Sequence, residues 1–327
     1  MTTLEIPPMD IHAQLLVVLG FDNAPSIQRT VAERQVPEEL QLIALSCVSM
    51  PSQLSYENYD EVSLYYDSGG RVPKCADIII SNITENCNLL DAGCGTGNYL
   101  HPLVSSGKLS GYTGMDLNEK MLEQFSKKAN ALAGHVKINA KCADITKPLP
   151  FSDNEFDAVI VNHVFHHITN ESAPTREGQL MYIEMALHEI YRIMKSGAVL
   201  CLNLASHKQL ASLWFCELLY GNKMDRVNLR FPDVGEIEDL LTKSGFQITL
   251  KEVSHESLLG ETYYEYEKYF DEAYRKAASP WTLSTPDELD HALKELRKKL
   301  ENREEFDAHV RMQMKTIGMT HEIICTK

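Results

Sequence analysis

The sequence predicts an α/β fold, a parallel sheet with helices on both faces. Two observations predict it. From about residue 75 onward, strand-like and helical runs alternate, the pattern left by crossover connections between parallel strands. The first strand also runs directly into a cluster of glycines, Leu89-Leu90-Asp91-Ala92-Gly93-Cys94-Gly95-Thr96-Gly97. Closely spaced glycines there let the backbone turn sharply and approach a ligand with no Cβ in the way.

Taken in order, residues 1–70 read as an N-terminal helical extension. Pro37-Glu38-Glu39 opens an expected helix through Leu40, Leu42, Ile43 and Leu45, with proline and acids where a helix start favours them. Tyr56, Tyr59, Tyr65 and Tyr66 then crowd a short stretch. The core is expected over 71–255 and 319–327. Its strands are Asn88–Asp91, Gly111–Asp116, Val136–Ala140, Phe156–Val161 and Ala198–Leu202, followed by Gln247–Leu250 and His321–Cys325. Helices are expected between them, notably Glu119–Leu132 and Glu177–Met194. Residues 256–318 form a helical insert before the last strand. There Leu289, Leu293, Leu296 and Leu300 make one apolar stripe. The stripe favours a helix packed on its own core, and a lid over a site is compatible with it.

Composition bounds the function. The chain has 327 residues, with 31 Lys+Arg against 46 Asp+Glu and a formal net charge of -15. So acidic a surface argues against nonspecific nucleic-acid binding and against docking on anionic membranes. No apolar stretch approaches the ~20 residues that span a bilayer, and no basic residue precedes the run Leu15–Leu19. The eight cysteines show no Cys-x-x-Cys spacing and read as reduced thiols. A cytoplasmic protein is expected.

The chemistry of the glycine loop narrows the ligand. The spacing is Gly-x-Gly-x-Gly, where a dinucleotide fingerprint has Gly-x-Gly-x-x-Gly, and a P-loop lysine is missing. Asp91 stands two residues before the first glycine. A carboxylate there would repel a pyrophosphate but suits a ligand carrying an ammonium and a sulfonium. Asp116 ends the second strand, placed to accept from ribose hydroxyls, and Asp144 follows the third, where it could accept from an adenine amino group. Three carboxylates at successive strand ends describe a cationic adenosine ligand.

These residues resemble the class I S-adenosylmethionine-dependent methyltransferases, in the type-11-like, small-molecule branch. Further landmarks agree: Phe151-Ser152-Asp153-Asn154-Glu155-Phe156-Asp157, Val164-Phe165-His166-His167-Ile168, Glu189 to Gly197, and Ser244-Gly245-Phe246. Ser196 departs from the proline usual in that branch, which should alter a turn and leave the cofactor site untouched. The resemblance implies a Rossmann-like, seven-stranded, mostly parallel sheet whose last strand is antiparallel. It also implies S-adenosylmethionine as cofactor and S-adenosylhomocysteine as product. By the same resemblance, Cys94, Leu117, Met121 and Ile145 join Asp91, Gly93, Gly95, Gly97, Asp116 and Asp144 around the cofactor. Asn162 and His163 should lie against its methionine part.

The expected reaction is in-line transfer of methyl to an oxygen or nitrogen of a small molecule. His167, and after it His166, are the candidate general bases, since imidazole suits proton removal near neutral pH. Pairing of histidines at this place across the branch favours a packing or hydrogen-bonding role instead. A metal site is not expected, because no His-Glu-x-x-His occurs. Tyr66, Arg71 and His167 are the candidate acceptor-binding residues. A second aromatic group, Tyr263, Tyr264, Tyr266, Tyr269, Phe270 and Tyr274, contains a helical spacing at Tyr263, Tyr266, Phe270 and Tyr274. That spacing favours a buried helix face over a lid stacking on the acceptor. DNA is not expected as a substrate, since neither a Pro-Cys dipeptide nor a Pro-Pro-aromatic motif follows the fourth strand. A protein or peptide acceptor, and a non-catalytic cofactor-binding regulator, remain the alternatives.

Overall fold

The computed structural model describes residues 59–327 apart from 64, 65, 68, 69, 133, 135, 169–174, 222, 276–278 and 283. The helix expected from Pro37, together with Tyr56 and Tyr65, therefore lies outside the described residues. The element order is α1 (Tyr59–Val62), α2 (Ala76–Asn82), β1 (Cys87–Ala92), α3 (Leu100–Ser105), β2 (Leu109–Asp116), α4 (Glu119–Ala131) and β3 (Lys137–Cys142). It continues with β4 (Phe156–Asn162), α5 (Arg176–Ile193), β5 (Met194–Leu204), α6 (His207–Ser212), α7 (Trp214–Tyr220), α8 (Asp225–Arg230), α9 (Val234–Lys243) and β6 (Gln247–Ser254). Last come α10 (Glu272–Arg275), α11 (Ser279–Thr282), α12 (Pro286–Glu301), α13 (Arg303–Ile317) and β7 (Thr320–Thr326).

The seven strands form one sheet in the order β3-β2-β1-β4-β5-β7-β6. Pairings among β1 to β5 are parallel, while β7 runs antiparallel to both β5 and β6. This is the expected mixed sheet. β1 is central and buried along nearly its whole length, Asp91 included, as expected of a strand covered on both faces. Neighbouring side chains point to opposite faces. Leu90 joins the core under α5 and α9 with Ile183, Leu187 and Ile237. Leu89 joins the core under α2, α3 and α4 with Ile79, Leu103 and Phe125.

Helix starts follow side-chain chemistry. Asn118 caps α4 by accepting from the Met121 N–H, and Thr175 caps α5. Ser206 with Gln209, Asp233 with Glu236 and Thr285 with Glu288 form capping boxes for α6, α9 and α12, the last with Pro286 in its first turn. The Ser196–Gly197 turn lies within β5, with Gly197 at φ +75°, and neither residue lines the cavity described below.

A third core lies away from the sheet. Trp214, Phe215 and Leu219 of α7 pack with Tyr263, Trp281, Leu296 and Phe306, so the insert shares its interior with residues 205–231. Leu296 and Ala292 are fully buried there, and Leu289, Leu293 and Leu300 pack against them. The aromatic run departs from the expected helix face. Gly260–Tyr264 and Tyr266–Phe270 are two 3₁₀ turns, and only Glu272–Arg275 is α-helical. A 3₁₀ turn repeats every three residues, so the buried series is Tyr263, Tyr266 and Tyr269, each 1% exposed or less. Phe270 and Tyr274 are only partly buried. None of the three buried tyrosines lines the cavity.

Candidate active site

The carboxyl ends of the parallel strands open onto a cavity of two joined chambers. The larger, about 460 Å³, lies beyond β2 and β3 and is walled by Asp116, Leu117, Met121, Asp144 and Ile145. The smaller, about 180 Å³, is walled by Asp91, Cys94, Arg71 and His166, with an apolar far side. Tyr59, Tyr66, Gly93, Gly95, Asn162, His163 and His167 border both, so the chambers meet there.

The glycine loop is folded back on β2 by the Gly93 and Cys94 N–H groups, which both donate to the Met115 carbonyl at 2.7 and 2.9 Å. Gly93, Gly95 and Gly97 all have positive φ, but they face different surroundings. A Cβ on Gly93 would stand 2.2 Å from Val164 Cγ2, and one on Gly97 would stand 2.8 Å from Phe125. A Cβ on Gly95 would meet only Tyr66, at 3.9 Å. Gly95 is thus the glycine whose bare face borders open space. Gly97 does not reach the cavity wall, and its missing side chain makes room for Phe125.

Three carboxylates stand at successive strand ends. Asp116 Oδ2 accepts from the Gly95 N–H at 2.8 Å and its Oδ1 from the Asn118 N–H at 2.9 Å. Burial raises its pKa against the pull of those N–H groups. Asp144 Oδ1 accepts from both the N–H and the hydroxyl of Thr146, at 2.8 and 2.7 Å. Asp91 is 2% exposed. Burial pushes its pKa up to about 7, with the Tyr112 hydroxyl opposing and the Asp116 charge adding to the rise.

After β4 the chain turns through His163 at φ +56°, an uncommon conformation for a residue with a Cβ. Its N–H donates to the Asn203 carbonyl at 2.9 Å. Asn162 Nδ2 and His163 Nε2 are buried without a hydrogen-bond partner. Burial, helped by the Arg71 charge, lowers the His163 pKa to about 4, so the ring is neutral. Burial also holds His166 well below its ordinary pKa, together with the His167 and Arg230 charges. The His166 ring stacks on Phe231, with centroids 4.2 Å apart.

His167 is held on both nitrogens. Arg230 Nη2 lies 3.1 Å from Nδ1, and the Tyr59 hydroxyl lies 2.9 Å from Nε2. The Tyr59 hydroxyl also lies 3.3 Å from Nδ1. A guanidinium can only donate, so a tautomer that accepts from Arg230 at Nδ1 carries its proton on Nε2, facing Tyr59. Of the candidate acceptor residues, Tyr66 and Arg71 face the smaller chamber together, with the Arg71 guanidinium carbon 3.9 Å from the Tyr66 ring centre.

Sequence reasoning missed Arg230, Phe231 and the role of Tyr59. Tyr59 was visible in the aromatic crowd before the core. Arg230 carried no motif, although it is only 5% exposed and also donates through Nε to the His166 carbonyl at 3.3 Å.

Comparison with known proteins agrees with this geometry. Residues 90–202 match the family model of a methyltransferase domain. A demethylmenaquinone methyltransferase of Leptospira interrogans is 24% identical over 188 residues, covering 52% of this chain and 71% of that protein. A malonyl-[acyl-carrier protein] O-methyltransferase of Legionella pneumophila is 29% identical over 161 residues, covering 48% and 49%. A ubiquinone/menaquinone biosynthesis C-methyltransferase of Haemophilus ducreyi is 28% identical over 131 residues, covering 39% and 44%.

Proposed function

The chain is a class I S-adenosylmethionine-dependent methyltransferase, and from that premise we propose that it methylates an oxygen or nitrogen of a small-molecule acceptor. The observation that carries the reading is the junction of the two chambers at Gly93, Gly95, Asn162 and His163. A donor whose adenosine lies in the larger chamber and whose methionine tail reaches Asp91 through the junction would present its methyl there to an acceptor in the smaller chamber. Relatives named for demethylmenaquinone and for a malonyl-carrier group favour a small acceptor. Among the described residues no helix is long and apolar enough to cross a membrane.

In this reading Asp116 accepts from the ribose hydroxyls and Asp144 from the adenine amino group, while Leu117, Met121 and Ile145 flank the ring. Asp91 holds the ammonium. The unpartnered Asn162 Nδ2 and His163 Nε2 suit a zwitterionic methionine tail, and the bare face of Gly95 gives it room. When bound, S-adenosylmethionine supplies an electrophilic methyl on a sulfonium. The chain's own contribution is alignment and exclusion of water, which is most of what an in-line displacement needs. Tyr59, Tyr66 and the pair His166–His167 wall the junction and orient what enters it.

Oxygen or nitrogen is favoured over an unactivated carbon by what the junction lacks. A carbon without an adjacent enol or phenol must first lose a proton to a strong base. His163 is a weak base here, and His167 is held by Tyr59 and Arg230. An ionised oxygen or a neutral amine brings its own lone pair. The test is incubation of the full chain with S-adenosylmethionine and fractionated cell extract, followed by mass spectrometry. Release of S-adenosylhomocysteine with a product heavier by one CH₂, its methyl on a heteroatom, is expected. A methylated carbon, or no release in any fraction, contradicts the proposal.

A further inference from the structure

We infer that the acceptor is a small alcohol, phenol or amine whose body, away from the atom that takes the methyl, is uncharged hydrocarbon. The inference rests on the methyltransferase reading and adds the acceptor's chemical class to it.

Among the described residues, the side chains of fixed charge that line the smaller chamber are Arg71 and Asp91. Both belong to the donor's tail. Asp91 takes the ammonium, and the Arg71 charge bears on His163, the residue set against the methionine part. On methionine the carboxylate and ammonium share one carbon, so a tail held by Asp91 brings its carboxylate toward Arg71. Arg71 Nη1 is buried and has no hydrogen-bond partner, and the planar fork of a guanidinium matches a carboxylate. With the donor in place, the cation and the anion of this chamber have each met their opposite charge.

What is left for the acceptor is the far side, walled by Leu210, Leu213, Phe215, Phe231, Leu258 and Leu259. Burial holds the imidazoles of His163 and His166 well below their ordinary pKa, so these two rings add no charge to the wall. His166 also lies flat against Phe231, with an interplanar angle of 13°. Arg230 donates to the His166 carbonyl, sets Nη2 against His167 Nδ1 and borders the larger chamber. An ion moved from water to such a wall loses its hydration and gains no partner, whereas a hydrocarbon body gains from leaving water. Charge on the acceptor's body is therefore selected against once the donor is bound.

The experiment is calorimetry on the full chain saturated with S-adenosylhomocysteine. Saturation is measured first, and its failure would strike the methyltransferase reading rather than the acceptor class. Two probe series follow: para-propylphenol against para-hydroxyphenylpropanoate and tyramine, and hexanol against ω-hydroxyhexanoate and ω-aminohexanol. In each series the neutral member is expected to bind at least about tenfold more tightly than either ion, a preference worth ~1.4 kcal/mol. With 5′-methylthioadenosine in place of S-adenosylhomocysteine, the amino-acid tail is missing and the Arg71 charge is unmet, so the carboxylates should recover part of that gap. Leu259→Lys, with melting curves confirming that it folds, should narrow the same gap by placing a cation in the far wall. An ion that binds as tightly as its neutral counterpart, or binding of neither neutral probe, overturns the inference. So does a carboxylate gap that neither 5′-methylthioadenosine nor Leu259→Lys narrows.

Discussion

The Tyr112 hydroxyl donates to Asp91 Oδ2 at 2.5 Å, and this pair is sealed in the sheet, with Tyr112 fully buried and Asp91 2% exposed. Burial outweighs the hydrogen bond and leaves Asp91 with a pKa of about 7. In the unfolded chain a carboxyl ionises near ~3.9. Between those values the folded state holds a proton that the unfolded state has lost. Stability contributed at this position therefore falls as pH rises from about 4 to about 7 and is flat above that. Asp91→Asn should show a shallower decline in urea melts across that window. A decline as steep in the variant as in the wild type would contradict it.

The same proton couples to ligand binding with the opposite sign. An ammonium beside it favours ionised Asp91, so affinity for the zwitterionic S-adenosylhomocysteine should rise by about tenfold between pH 6 and pH 8. Asp91→Asn should bind more weakly and without that pH dependence. Calorimetry at three pH values checks both statements.

The glycines of one loop should separate by phenotype. Gly97→Ala puts a Cβ into Phe125 at φ +84° and should destabilise the fold by ~1–3 kcal/mol. Gly95→Ala meets open space at φ +53°. It should cost ~1–2 kcal/mol of backbone strain, and it should also lower cofactor affinity in calorimetry because its bare face borders the cavity. Equal loss of affinity per unit of lost stability in both variants would contradict this division.

The insert's core should be energetically separate from the cofactor site. Leu296→Ala empties a fully buried position among Trp214, Tyr266 and Phe306 and should cost ~2–5 kcal/mol. Below the variant's melting range, affinity for S-adenosylhomocysteine should stay unchanged.

What the sequence made legible was local or periodic. The run Leu90-Asp91 into Gly93, the acids Asp116 and Asp144 at strand ends, and the alternation of strands with α4 and α5 all lie within short windows. The antiparallel β7 was legible only through the family resemblance, since nothing in His321–Cys325 states its direction. The burial of Tyr263 and Tyr266 was legible, but Phe270 and Tyr274 were read in place of Tyr269 because three-residue and 3.6-residue periods nearly coincide over two turns. Arg230 was illegible for another reason. It reaches His167 across 63 residues of chain, and Tyr59 reaches the same ring across 108. Such meetings are products of packing, and neither residue carries a motif in its own neighbourhood. Gly97 belongs to the glycine motif by spacing, yet its α-carbon faces Phe125 because successive residues of the loop point different ways.

Affinity of the wild-type chain and of Asp116→Ala for S-adenosylhomocysteine, measured side by side by calorimetry, bears most directly on the account. The wild type should bind, and the variant should bind about 10- to 100-fold more weakly, as expected for losing ~1.5–3 kcal/mol of hydrogen bonding to a charged group. Equal affinity in the two proteins, or a wild type that takes up a phosphate-bridged dinucleotide in place of S-adenosylhomocysteine, would contradict it.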